Sequence, residues 1–366
     1  MNAEDLEFLL DLIRIPSVTV DCAAVNRAVE AMRDWLAARG VFCSLETDTE
    51  TGREALYAAT TPGKVHDCLF VTHLDVVPGA PGQFEPRIEG DRLYGRGAGD
   101  TKGNAVAIAR TLVSLVGTGV SAGAVFASDE ETAPTGGTPS PQMLLERGYV
   151  PRKFILVGDT TGDSPRTLFT AEKGHAVFTL VAHGRGGHSS VPWTLDNPIP
   201  KLIEGYSRFA AAYPVKLDST EPWQTFVSPT KLEGAASVNA VPDTATMSLS
   251  CRYIDPKDYD RVLALLRETT GLEVLGADPR KHRPPVVTDE NDPNVQALFR
   301  VLKAKWPDFR LGRMNAATDA SRYAHLGLPT VIYGAVSHGA HGADEWVSLS
   351  DLGGWPEVLT EFLKCR

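Results

Sequence analysis

Apolar residues recur at helical spacing along the start of the chain. Leu6, Leu9, Leu10 and Ile13 share one face of a segment from Glu4 to Ile15, and Pro16 ends it. Val25, Val29, Met32 and Leu36 do the same from Ala23 to Arg39, with Gly40 as the stop. Beyond them, short apolar runs alternate with helical stretches. Cys68–Thr72, Ala124–Ala127, Phe154–Val157 and Pro329–Tyr333 read as buried strands, by their length and turn-like flanks. Asn104–Val116 and Pro141–Arg147 read as helices between them. This rhythm predicts an α/β fold, a mainly parallel sheet flanked by helices.

Between residues 175 and 280 the pattern changes. Ala176–Ala182, Phe226–Leu232 and Thr244–Tyr253 alternate polar and apolar positions, as strands with one exposed face do. Asn197–Tyr213 and Asp255–Thr270 read as helices, the second opened by an Asp cap followed by Pro256, and Leu272–Leu275 closes with a strand. The order β-α-β-β-α-β is that of a ferredoxin-like α+β unit. Residues 1–174 and 281–366 are therefore expected to form one domain and 175–280 a second, inserted within it.

A chain of 366 residues suits two domains. Its net charge of −10, with no Lys/Arg cluster, argues against a nucleic-acid partner, which requires a basic face. No apolar run reaches the roughly eighteen residues of a membrane span. The acidic start Met1-Asn2-Ala3-Glu4-Asp5 lacks the positive charge of an export signal, so a cytoplasmic protein is expected. Cysteines at 22, 43, 68, 251 and 365 are odd in number and contain no C-x-x-C pair; they read as reduced thiols, not as a bridge set or zinc knuckle.

The chemistry collects at the strand ends. The first strand runs into Thr72-His73-Leu74-Asp75, the second into Ser128-Asp129-Glu130-Glu131, the third into Gly158-Asp159. A Gly-rich turn, Gly95 to Gly103 and including Asp100, enters the Asn104 helix, and the last strand is followed by a loop carrying His338, His341, Asp344 and Glu345. Ligands of open parallel sheets bind beyond the carboxyl ends of the strands. His73, Asp100, Glu130, Glu131, Asp159 and His341 are thus delivered to one rim. Crowded carboxylates repel unless a cation holds them. Two imidazoles with three carboxylates suit Zn²⁺ or a similar divalent ion, and an Asp between two such sets can bridge ions about 3.5–4 Å apart. Each piece has a blander reading: a His after a strand is often a structural hydrogen-bonder, and Asp-Glu-Glu is often a solvated patch. The turn lacks the spacing of a P-loop or a dinucleotide site. Together, at successive strand ends, they favour a metal site.

The motifs His73-Leu-Asp75-Val-Val-Pro78, Gly95-Arg-Gly-x-x-Asp100-x-Lys-Gly103, Asp129-Glu-Glu131, Gly158-Asp159, Gly187-His188-Ser-Ser190 and Ala340-His341-x-x-Asp344-Glu345 occur in this order. In that order they resemble the co-catalytic zinc amidohydrolase and exopeptidase family, which includes acetylornithine deacetylase, succinyl-diaminopimelate desuccinylase, aminoacylase and glutamate carboxypeptidase. The resemblance covers nearly the whole chain. It implies a zinc-aminopeptidase-like catalytic domain with an inserted lid that also makes a homodimer contact. It implies two Zn²⁺ per subunit, replaceable by Co²⁺ or Mn²⁺. His73 and Asp159 would hold one ion, Glu131 and His341 the other, with Asp100 bridging. Glu130 would be the general base, and Asp75 would orient His73. His188 would reach from the lid into the partner's site and donate a hydrogen bond to the oxyanion.

The implied reaction is hydrolysis of the amide bond of a small N-acyl amino acid with a free α-carboxylate. Arg252 and Arg322, with Asn239 as polar partner, are the candidate anchors for that carboxylate, because a fixed guanidinium grips it bidentately. Removal of a C-terminal residue from a dipeptide is the alternative, since Thr318-Asp319-Ala320 resembles the carboxypeptidase branch. A catalytically inactive binding homologue is the reading from another class, and the complete ligand set with its base weighs against it. Three features depart from the family pattern. Thr132-Ala-Pro-Thr-Gly136-Gly137 follows the acidic pair, Thr160-Thr161 follows Asp159, and Glu172-Lys173-Gly174-His175 stands where a desuccinylase has an Arg-Gly-Ser-Leu type segment.

Overall fold

The computed structural model describes residues 1–132, 136–159, 166–215, 220, 222–235 and 237–364. Ala133, Pro134 and Thr135 of the loop after the acidic pair, together with Thr160, Thr161 and Cys365, lie outside them. The chain divides into two compact units. The first comprises Met1–Ala171, Val286–Met314 and Thr318–Arg366, the second Glu172–Pro285 with Asn315–Ala317.

The first unit is built on a mixed sheet whose centre is parallel. Ala122–Ala127, Val65–His73, Val150–Val157 and Thr330–Ile332 lie side by side in that order, all parallel. Antiparallel strands flank them: Glu54–Ala59 and then Phe42–Thr47 on one side, Thr167–Glu172 on the other. The parallel strands are apolar at consecutive positions because both of their faces are covered. Within Val65–His73, Cys68 and Phe70 enter one apolar cluster with the helices Ala3–Arg14, Cys22–Ala37, Gly103–Leu115, Pro293–Lys305 and Leu349–Lys364. Leu69 and Val71 enter the other, with Met143, Leu144, Ala320 and Tyr323. The first two helices open on side-chain caps: Asn2 accepts from the amide of Asp5, and Asp21 from that of Ala24.

The second unit has the order strand Gly174–His183, helix Pro198–Ala212, strands Phe226–Glu233 and Thr244–Tyr253, helix Pro256–Thr270, strand Glu273–Leu275. Its antiparallel sheet runs Phe226–Glu233, Thr244–Tyr253, Gly174–His183, Glu273–Leu275, the ferredoxin-like arrangement. Ala176, Phe178, Leu180, Leu249 and Cys251 point to the face the two helices cover. Asp255 caps the second helix through the amide of Lys257, with Pro256 next. A two-residue ribbon, Gly187–His188 against Ala240–Val241, stands apart from this sheet. Among the described residues no helix is long and apolar enough to cross a membrane.

Candidate metal centre

Strand register brings the polar ends together. His73 pairs with Ala127, so the Val65–His73 strand ends beside the residue from which Ser128-Asp129-Glu130-Glu131 departs. Val71 pairs with Val157, two residues before Asp159. Asp100 arrives on a turn, Ala98–Lys102, that runs straight into the Gly103–Leu115 helix. Gly97, at φ +82°, opens that turn, where a Cβ would sit 2.7 Å from Val76.

Two groups of side chains that could hold an ion result. Ligand atoms of His73, Asp100 and Asp159 lie within 4.8 Å of one another, and so do those of Asp100, Glu131 and His341. Asp100 belongs to both, and its two oxygens divide between them. Oδ1 lies 3.2 Å from His73 Nε2, and Oδ2 lies 3.2 Å from His341 Nε2. Asp159 Oδ1 is 3.9 Å from His73 Nε2, and Glu131 Oε2 is 2.9 Å from His341 Nε2. His73, Asp100 and Asp159 are buried, whereas the His341 ring remains half in solvent on a backbone of φ +65°.

The charge balance favours cations here. The Asp100 and Glu131 carboxylates raise the His341 imidazole to about 10. Burial pushes His73 down, but the Asp100 and Asp75 carboxylates outweigh it and hold that ring well above its usual value. Burial lifts the Glu131 carboxyl to about 7 despite its bond to His341. Burial also works against Asp100, yet the two imidazoles keep it below the ordinary range. Glu131 Oε1 is buried with no hydrogen-bond partner. A buried carboxylate oxygen left over in a pair of nitrogen/oxygen triads is what a divalent ion would satisfy, so the residues fit the metal. Metal binding would replace the protons that the imidazoles otherwise hold.

Asp75 does more than its spacing suggests. His73 Nδ1 is 3.0 Å from the Asp75 backbone carbonyl and 3.4 Å from its Oδ1. The same carboxylate accepts from the amides of Glu130, at 3.1 Å, and Glu131, at 3.2 Å. It therefore holds both the first imidazole and the acidic pair. Burial opposes its charge, but these donors hold it below the usual carboxylate range.

A second brace is absent from the sequence reading. Glu345 Oε1 accepts from the amides of Gly99 and Asp100 at 3.0 and 3.1 Å, and Oε2 lies 2.5 Å from Arg96 Nη1. Arg96 Nη2 donates to the carbonyls of His341 and Gly342, both at 3.1 Å. Asn104 ties Thr101 to Ala335 through its two side-chain ends. Arg96 and Glu345 stand inside motifs already noted, but nothing in their spacing signals that they meet.

The remaining candidates are distributed over both units. His188 is exposed on the ribbon of the second unit, its Nδ1 accepting from the amide of Ser190 at 3.2 Å. Asn239 is exposed beside it, its carbonyl accepting from the amide of Ser189. Arg252, half-buried on the Thr244–Tyr253 strand, is held below its usual value by burial and by Arg283, against Glu172. Arg322 is half-buried in the Asp319–Leu326 segment of the first unit.

Comparison with known proteins places the chain. The model of peptidase family M20/M25/M40 matches residues 69–364. The chain belongs to that family. It is a hydrolase acting on amides or peptides, within a mixed α/β fold shared by the family's solved structures. A relative from Gluconobacter oxydans (strain 621H), described as succinyl-diaminopimelate desuccinylase, is 32% identical over 82% of this chain and 82% of its own. The M20 family metallo-carboxypeptidase Sso-CP2 from Sulfolobus solfataricus has a similar structure, with TM-score 0.80 at 19% identity over 100% and 99% of the two chains. The YXEP protein of Bacillus subtilis, described as a dinuclear metal-binding peptidase from the M20 family, superposes with TM-score 0.69 at 15% identity over 98% and 96%.

Proposed function

We propose that this chain is a metal-dependent hydrolase of the amide bond of a small N-acyl amino acid, deacetylase- or desuccinylase-like. The carrying observation is the pair of three-ligand groups that share Asp100. Divalent ions there, Zn²⁺ first and Co²⁺ or Mn²⁺ as substitutes, would polarise a carbonyl oxygen and make a water acidic near neutral pH. His73 and Asp159 would hold one ion and Glu131 and His341 the other, with Asp100 common to both groups. Glu130, whose backbone is fixed on Asp75 beside the ligand Glu131, takes the proton from the attacking water and returns it to the leaving amine. With Nδ1 of His188 accepting from the amide of Ser190, Nε2 is the end left to donate. That end is the donor for the oxyanion, offered by His188 of the partner subunit in a homodimer. Arg252, Asn239 and Arg322 grip the α-carboxylate. The desuccinylase name of the Gluconobacter relative and the dinuclear description of the Bacillus one support this reading. The second unit serves as lid and dimer contact.

A second reading, removal of a C-terminal residue from a dipeptide, has the Thr318-Asp319-Ala320 run in its favour; all three are buried in the first unit. One panel separates the two: acetyl-, succinyl- and formyl-amino acids and dipeptides, assayed with added Zn²⁺ or Co²⁺. Hydrolysis of acyl amino acids alone sustains the first reading, and of dipeptides alone the second. Turnover that survives in Glu130→Gln at more than a hundredth of the parent rate removes Glu130 from the base role, since such catalysis is worth about 10²–10⁴-fold.

A further inference from the structure

The buried carboxylate of Asp75 receives one side-chain hydroxyl. Thr19 Oγ1 donates to Asp75 Oδ2 at 2.7 Å, the shortest of the contacts to that carboxylate, and both residues are buried. Thr19 is set by a clamp of its own. Val18 bridges to Val76, the Thr19 amide donates to the Val76 carbonyl, and the Val76 amide returns to Ser17. The Ser17 hydroxyl donates to Leu74 at 2.6 Å. Buried Arg53 spans the gap to the acidic pair, with Nη2 2.7 Å from the Thr19 carbonyl and Nη1 2.7 Å from that of Ser128. The N-terminal segment is thus pinned to both ends of what Asp75 organises.

We propose that Thr19 is a positioning residue for the metal centre, holding Asp75 in the one rotamer that serves His73 and the amides of Glu130 and Glu131 together. A carboxylate with two oxygens can meet an imidazole, two amides and a hydroxyl only when its plane is fixed. Of the four partners, the hydroxyl is the one whose removal leaves every ligand and every backbone group in place. A carboxylate released from it turns about its last bond; the acidic pair then loosens, and His73 keeps the Asp75 backbone carbonyl at 3.0 Å but loses the second contact, to Oδ1 at 3.4 Å. Groups of this kind behind a metal ligand are typically worth about 10–100-fold in metal affinity or rate. The proposal rests on the metal-hydrolase reading for its consequence, but not for its geometry.

The test uses three variants of the full chain: Thr19→Val, which keeps the shape and removes the hydroxyl, Thr19→Ser, which restores it, and Ser17→Ala, which removes one hydroxyl bond to Leu74 but leaves the backbone bonds that set Thr19 and the Asp75 carboxylate untouched. Two quantities are read. One is Zn²⁺ affinity by chelator competition; the other is hydrogen exchange at the Glu130 and Glu131 amides in metal-free protein. The expected result is a loss of about 10–100-fold in affinity for Thr19→Val and exchange faster by about tenfold or more, the lower end for a hydrogen bond to a charged group. Thr19→Ser should restore both, and Ser17→Ala should leave both near the parent. Parent-like values for Thr19→Val overturn the proposal. Equal losses in Ser17→Ala also overturn it, because they reduce Thr19 to general packing. If the parent takes up no ion while Thr19→Val still speeds exchange at the two amides, the hydrolase reading fails and the Asp75 hub stands.

Discussion

Replacing Glu345 by Gln should damage stability and metal binding together, and the structure sets the size of each effect. Arg96 and Glu345 leave only 2% and 1% of their side chains exposed, at 2.5 Å. Burial raises the Glu345 carboxyl, and Asp100 repels it, against the lowering by Arg96 and the backbone amides. The substitution turns an acceptor facing the guanidinium into a donor, leaving Arg96 a buried charge without its counter-ion. Breaking such a pair from one side costs about 3–5 kcal/mol. In a folded unit of this size, that corresponds to roughly 6–20 °C in melting temperature. The pair also joins the loop carrying His341 to the turn carrying Asp100, so Zn²⁺ affinity should fall by about 10–100-fold. The double variant Arg96→Met/Glu345→Leu separates the two effects. Apolar replacement of both partners should recover much of the melting temperature. It should not recover the affinity, because the Glu345→Leu change also takes away the acceptor of the Gly99 and Asp100 amides. Thermal scans of metal-free protein and chelator competition on the same samples read both. Parent-like Zn²⁺ affinity in the double variant would refute the bracing argument, and an unchanged melting temperature in Glu345→Gln would refute the energetic one.

Gly334→Ala should displace Asp159, since the added Cβ would lie 1.9 Å from its carbonyl oxygen and 3.2 Å from Asn104 Nδ2; a loss of about 1–3 kcal/mol in thermal unfolding, with weaker metal uptake, is expected. Acidification should destabilise the second unit through His175, whose imidazole is pushed down to about 4 by burial, then by Arg252, Arg283 and His282. Its folded pKa lies below the unfolded value near 6.5, so this contribution is whole above that pH and is lost as pH falls toward 4. Unfolding followed across that window should show a shallower slope in His175→Gln.

The fold class was legible because the central strands are buried on both faces. Cys68-Leu-Phe-Val carries apolar residues toward two clusters at once, and a run of that kind has few other uses. Helix ends shifted by a residue or two, as at Gly103–Leu115 for the expected Asn104–Val116. The hairpin of Phe42–Thr47 and Glu54–Ala59 went unread: its outer strand is half-buried along most of its length, and the alternation of Cys43-Ser-Leu-Glu46 lasts only four residues. The short strands Ser337–His338, Trp346–Ser348, Arg92–Tyr94 and Arg87–Glu89 were hidden for another reason. The middle two meet across a long stretch of chain, Trp346 with Tyr94, the outer two pair locally with them, and two or three residues carry no period. The clustering of His73, Asp100, Glu131, Asp159 and His341 was legible since strand ends share a rim whatever their spacing. The braces were not, because Arg96 and Glu345 are 249 residues apart and meet only after the sheet has formed.

The two bracing acids answer one physical problem. A site that draws its polar side chains from five separate segments must hold them against mutual repulsion before any ion arrives. Backbone amides do this without adding charge, but an amide needs an acceptor, and at two places on this rim the acceptor is a carboxylate outside the two three-residue groups. Asp75 supplies it for the acidic pair and Glu345 for the Asp100 turn. Each is then held from behind, by a hydroxyl's hydrogen bond in one case and a guanidinium in the other. Asp75 has three further donors and can spare one in part, whereas Glu345 has a full positive charge depending on it. Loss of the Thr19 hydroxyl should therefore appear mainly in metal affinity, and loss of the Glu345 charge in folding as well. Thermal unfolding of metal-free Thr19→Val and Glu345→Gln, measured side by side, checks that ordering. A larger drop for Thr19→Val would mean that the hydroxyl, not the ion pair, anchors this rim.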